Sequence, residues 1–203
     1  RLIGTILDKF MSIGLLVLVI LFQDQIKRFL VELGSQRRWH FIKNLFHHHD
    51  KRDEKENSRS WVMPIVYACM NMSKSKTGAL IVLKQTMSLE QYERTGDMID
   101  AQINSRLIEN IFFKNSPLHD GALIIADGRI KAAGCILPVS HDTNVPRSLG
   151  LRHRSALGIS QATDAVAIVV SEETGGISIA HRGILTTKLT STELEQRLSQ
   201  LQP

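Results

Sequence analysis

Two short runs, residues 78–83 (GALIVL) and 165–170 (AVAIVV), are apolar or glycine at every position. A strand with one wet face alternates apolar and polar residues, so unbroken runs of this length belong to strands covered on both faces. Residues 122–125 and 130–137, joined by Ala126-Asp127-Gly128, read as a hairpin. Residues 177–180 read as a further strand, returning after Thr174-Gly175-Gly176. Helical spacing separates these runs. Val62, Val66, Cys69 and Met70 recur at that spacing, with Pro64 tolerated in the first turn. Residues 105–113 are expected to be helical and to stop at Asn115-Ser116-Pro117, and residues 154–161 form another candidate helix. The last helix opens on Thr190 and Glu193 in capping-box spacing and repeats Leu194, Leu198 and Leu201. Strands interleaved with helices predict one α/β domain, residues 61–203, with a central mixed β-sheet flanked by helices. No internal repeat is visible.

The first sixty residues differ in kind. Residues 2–22 are mostly apolar, and residues 10–22 are uninterrupted. Thirteen helical residues rise about 20 Å, short of a hydrocarbon core of about 30 Å. Reaching back to Leu2 adds length but includes Asp8 and Lys9, each costing about 3 kcal/mol at a bilayer centre. Residues 1–22 are therefore expected to be the C-terminal part of a transmembrane helix with its upstream partners ahead of Arg1; the alternative is a buried or interfacial helix. Lys27, Arg28, Arg37, Arg38 and Lys43 follow the apolar run and place what comes after it in the cytoplasm. Phe22, Ile26, Phe29, Leu30 and Leu33 keep one apolar face, so residues 23–45 are read as an amphipathic juxtamembrane helix. Residues 46–60 (FHHHDKRDEKENSRS) carry dense charge of both signs and read as a solvated linker. Three consecutive histidines, 47–49, converge poorly on one ion.

With 203 residues and 43% hydrophobic composition, the chain has material for one core plus an appendage. Its net charge of +5 suits an anionic partner, whether phosphate ligand, nucleic acid or membrane surface, without choosing among them. Cys69 and Cys135 lie far apart in apolar runs, which indicates buried reduced thiols and not a disulfide framework.

Three polar clusters adjoin the strands. In Asn115-Ser116-Pro117-Leu118-His119-Asp120-Gly121-Ala122, an acid precedes Gly-Ala at a strand entrance. Asp120 can project into a cleft there while Gly121 lets a ligand approach the backbone; a turn carboxylate capping nearby amides is the plainer alternative. Arg152-His153-Arg154 follows Gly150-Leu151 and is read as a loop preceding a helix at residue 154. Two guanidinium forks beside a helix N-terminus suit a polyphosphate; a solvated basic loop is the plainer alternative. Ser171-Glu172-Glu173-Thr174-Gly175 adds a hydroxyl and two carboxylates, suited to a divalent ion or to an acidic hairpin turn.

Taken in order, TGALIVL, NSPLHDGALII, AAGCILP, LGLRHRSALGIS and SEETGGIS closely resemble the diadenylate cyclase domain family across residues 61–201. FQDQIKRFLVELG after an apolar helix resembles its membrane-anchored branch. The resemblance implies an enzyme that condenses two ATP into cyclic di-AMP and two pyrophosphates, using Mg²⁺ or Mn²⁺, with two monomers face to face. The roles it implies are these. Asp120, Gly121 and Ala122 of one motif and Arg152, His153 and Arg154 of the other are catalytic. Asp120 lies near the attacking 3′-hydroxyl, Arg152, His153, Arg154 and Ser171 hold the triphosphate, and Glu172 belongs to the nucleotide-binding set. Leu137 reads the adenine edge through its backbone, and Gly78, Ala79 and Leu80 wall the nucleotide pocket, which Leu151 also borders. Asp120 and Glu173, helped by His119, ligate the metal. Two positions depart from the family pattern: Leu151 stands where many members have threonine, and Ile136 where many of the anchored branch have an aromatic. The expected setting is the cell membrane with the catalytic domain in the cytoplasm, with membrane proteins as possible regulators and no nucleic-acid partner. A degenerate nucleotide sensor that regulates a partner is the rival reading.

Overall fold

The computed structural model describes residues 17–18, 20–23, 25–26, 61–142 and 149–201. The chain divides into two units, Arg1–His49 and Asp50–Pro203. In the first, the amides of Phe22 and Ile26 donate to the carbonyls of Leu18 and Phe22, the i→i+4 pattern of an α-helix. Val17, Leu18, Ile20, Leu21, Phe22 and Ile26 are all exposed. Among the described residues no helix is long and apolar enough to cross a membrane. The other expectations for residues 1–60, including the linker and most of the juxtamembrane helix, lie outside the described residues.

The second unit runs α1 (Val62–Ser75), β1 (Ala79–Leu83), α2 (Glu90–Glu93), β2 (Asp97–Gln102), α3 (Ser105–Ile111), β3 (Ala122–Ala126), β4 (Arg129–Cys135), α4 (Leu151–Ala162), β5 (Val166–Val170), β6 (Ile177–His181), β7 (Ile184–Leu189) and α5 (Ser191–Leu198). The strands form one mixed sheet in the order β2-β4-β3-β1-β5-β6-β7. Only β1 and β3 are parallel neighbours; the other pairs are antiparallel.

β1, β3 and β5 are buried at every position, as their unbroken apolar runs require. Successive side chains leave opposite faces of a strand. Ile81, Leu83, Leu123, Ile125, Ile168 and Val170 therefore pack with Ile65, Ile108 and Leu194 of α1, α3 and α5. Leu80, Val82, Ile124, Ala167 and Val169 pack on the other face with Ala156 and Ile159 of α4. The sheet is thus sandwiched. Both cysteines are buried free thiols, and burial raises Cys69 to about 12.

Local signals account for several boundaries. Asp127 and Gly128 both have positive φ, which the two-residue β3–β4 turn needs. Thr190 accepts from the Glu193 amide while the Glu193 carboxylate accepts from the Thr190 amide, completing the box that starts α5. Helix α4 is a correction: it begins at Leu151, so Arg152, His153 and Arg154 form its first turn and not a loop ahead of it.

Candidate active site

One end of the sheet collects the polar clusters. β1 and β3 begin there, while β4 and β5, running the other way, end there. A cleft of about 630 Å³ opens at this end, a volume within the usual range for small-molecule sites. His119, Asp120 and Gly121 form one wall, and Gly150 to His153 with Ser155 form another. Ser171, Glu172 and Glu173 close a third side, while Leu80, Leu137 and Val169 supply apolar floor.

Asp120 presents its carboxylate outward, with the side chain 83% exposed. Its one close partner is the His119 ring, whose Nε2 lies 3.3 Å from Asp120 Oδ1. His119 Nδ1 sits 2.5 Å from the Ser116 carbonyl, an acceptor, so Nδ1 carries the proton. Nε2 then faces the Asp120 oxygen, and a contact this close calls for a proton or a cation between the two atoms. The pair fits the requirements of a divalent ion, because a backbone bond that fixes Nδ1–H also orients a ligating Nε2. Glu173 borders the same cleft, yet no group of three His, Cys, Asp or Glu converges on one point among the described residues. An ion here would complete its shell with substrate phosphates and water, as Mg²⁺ commonly does.

The arginine-histidine-arginine segment splits into three roles. Arg152 enters the cleft, where Nη1 donates to Glu172 Oε2 at 2.7 Å and Nη2 reaches the His119 carbonyl at 3.5 Å. Gly150 caps α4 without any side chain, leaving the first turn facing the cleft. His153 is buried, with Nε2 3.3 Å from Ser178 Oγ. Burial pushes its imidazole below the ordinary range, opposed in part by the Glu173 charge. Arg154 lies off the cleft wall, and its carbonyl accepts from the Ser140 amide at 3.0 Å. That bond ties α4 to the segment following Leu137.

His153 makes stability depend on pH. Its folded pKa lies below the unfolded value of 6.5, so the unfolded state binds more protons between the two. The contribution is complete above 6.5 and is lost as pH falls toward the depressed folded value. Burial also lowers His181, with the same sign. The urea midpoint should fall below pH 6.5, and less steeply in His153→Asn than in the parent; equal slopes would remove His153 from this effect.

The remaining expected residues are placed as follows. Leu80 lines the cleft, whereas Ala79 faces the opposite layer and Gly78 lies behind Arg152. Ala122 is buried in the α4-side core. Ser171 Oγ accepts from the Thr174 amide and so caps its own loop. Leu137 is buried at the cleft, while Ile136 and Leu151, 70% and 74% exposed, stand at its mouth. Ser155 and Ser178 were not singled out by the sequence. Ser155 lies one turn beyond Leu151, and a helix start at 151 would have placed it in the cleft.

Residues 66–185 match the family model described as DisA bacterial checkpoint controller nucleotide-binding, the DAC domain. The chain belongs to the diadenylate cyclase family. Residues 1–26 match the CdaA N-terminal transmembrane domain, which supports membrane association. The cyclic di-AMP synthase CdaA of Bacillus subtilis is 37% identical over 193 residues, covering 95% of this chain and 68% of that protein. A diadenylate cyclase of Listeria monocytogenes is 39% identical with the same coverage. A crystal structure of DacA from Staphylococcus aureus, a double mutant, superposes with a TM-score of 0.71 at 38% identity. It covers 72% of this chain and 97% of that one. A mixed sheet flanked by helices is the fold, as the interleaved strands and helices predicted, and the structural neighbour agrees with it.

Proposed function

We propose that this protein is a membrane-anchored diadenylate cyclase that condenses two ATP into cyclic di-AMP and two pyrophosphates. The observation that carries this reading is one cleft shared by an outward-facing Asp120 and the Arg152 guanidinium at an uncapped helix start. Arg152 and the first amides of α4 hold the triphosphate, since both present positive potential to an anion. Leu137, Leu80 and Val169 receive the adenine, with Ile136 and Leu151 packing on it as aliphatic neighbours. His153, whose Nε2 faces Ser178, positions the α4 start.

Asp120 accepts the proton of a ribose 3′-hydroxyl as its oxygen bonds to the α-phosphorus of the other ATP. The bond from that phosphorus to the bridging oxygen of the β-phosphate breaks, and pyrophosphate leaves. A second, equivalent exchange closes the ring. Mg²⁺ or Mn²⁺ held by His119 and Asp120, with Glu173 nearby, would supply charge neutralisation for the phosphates.

A reaction between two identical nucleotides needs its reactive centres related by a twofold axis. The Asp120 carboxylate is 83% exposed at the cleft, so a second copy facing it would complete the site. The basic residues after the apolar run put the domain on the cytoplasmic side. The test is direct: with ATP and Mg²⁺ or Mn²⁺, the protein should yield cyclic di-AMP and two equivalents of pyrophosphate. Saturable ATP binding with no product under either ion would instead make it a nucleotide sensor.

A further inference from the structure

Gly78 immediately precedes β1, is buried, and has no φ in the left-handed region, so its backbone does not call for glycine. The space beside it does. A Cβ there would lie 2.5 Å from Arg152 Nη1, 3.0 Å from Arg152 Cζ and 3.0 Å from Glu172 Oε2. The Arg152–Glu172 ion pair thus rests on the bare Cα of Gly78. That guanidinium is held from three sides: by the Glu172 carboxylate, by the His119 carbonyl at the neighbouring wall, and by the floor at Gly78.

We infer that Gly78 and Glu172 are positioning residues that set the Arg152 guanidinium at the phosphate end of the cleft, with Gly78 acting through Arg152 and not through ligand contact. This inference rests on the reading that Arg152 binds the triphosphate. Any side chain at 78 lifts the ion pair off its seat, because the far ends of Arg152 and Glu172 are the parts free to move. The Arg152 side chain is 22% exposed and that of Glu172 65%, so the pair can shift toward solvent without disturbing the core. Misplaced by an ångström or two, the guanidinium no longer meets the phosphates squarely.

Cyclase kinetics and melting temperature of the full chain in detergent test this with Gly78→Ala, Glu172→Ala, Arg152→Ala and the two double variants containing Arg152→Ala. Gly78→Ala should raise KM for ATP about tenfold, change kcat less, and leave the melting temperature near the parent's. Glu172→Ala should do the same, with Glu172→Gln milder because an acceptor oxygen remains. In the Arg152→Ala background both changes should cost nothing further, since residues acting through one partner are not additive. Equal losses in both backgrounds, or parental KM in Gly78→Ala and Glu172→Ala beside an impaired Arg152→Ala, overturn the inference and leave the site reading standing. Parental KM in Arg152→Ala overturns the site reading itself. Should Gly78→Ala not fold, the exposed Glu172 completes the cycle alone.

Discussion

Asp120→Asn should abolish cyclic di-AMP formation, lowering turnover by roughly 10²–10⁴-fold, the range typical for loss of a positioned acid or base. Asparagine keeps the shape of the side chain but cannot take a proton and ligates a hard cation poorly. The fold should be indifferent to the change. The Asp120 side chain is 83% exposed, it buries no charge, and among the described residues its close partner is the His119 ring. ATP affinity measured without a divalent ion should also survive, because Arg152 and the α4 start lie on the other wall. Titration of ATP by calorimetry, beside a product assay at saturating ATP, separates these terms. Unchanged turnover would remove Asp120 from the reaction. A parallel collapse of ATP binding would instead make it a ligand-binding group, and the acid-base assignment would fall.

The sequence made the interior of this domain legible, because β1, β3 and β5 are buried on both faces and must be apolar throughout. Its edges were not. β2 (DMIDAQ) and β7 (ILTTKL) lie at the two margins of the sheet and are largely exposed, so neither shows an apolar run or clean alternation. The start of α5 was readable since Thr190 and Glu193 cap it with side chains. The start of α4 was not: Gly150 brings no capping side chain, and the arginines and histidine that follow resemble a loop. That one displaced boundary matters for the site. Inside the first turn, Arg152 meets Glu172 and His153 meets Ser178, while Arg154 is not among the residues that line the cleft. A linear motif read as three equivalent groups is spread over one cleft-lining arginine, one buried histidine and one arginine whose carbonyl ties α4 to Ser140.

The glycine of the Asp-Gly-Ala motif offers the second large effect. Gly121 lines the cleft, and the position a Cβ would take on it is already occupied by protein. A Cβ on Gly121 would lie 2.5 Å from the carbonyl carbon and 2.7 Å from the Cα of Gly134, on the neighbouring strand β4. The register of β3 against β4 shifts just there, between Ala122 and Ile124. Its φ of +137° is, in addition, a conformation that side-chain-bearing residues rarely adopt. Backbone strain of about 1–3 kcal/mol therefore adds to overpacking of about 1–3 kcal/mol against atoms that cannot swing aside. Together these approach a large fraction of the roughly 5–15 kcal/mol that holds a domain folded. Gly121→Ala should lower the melting temperature by roughly 4–24 °C, at about 2–4 °C per kcal/mol for a domain of this size. Gly134→Ala is the control. Its φ of +68° carries a cost of about 1–2 kcal/mol, but a Cβ there meets only Leu118 Cδ2, at an ordinary 3.9 Å. The two melts should differ by several degrees, with Gly121→Ala the lower. Equal shifts would mean that strand crowding contributes nothing, and that the motif's glycine is kept for its backbone angle or for ATP alone.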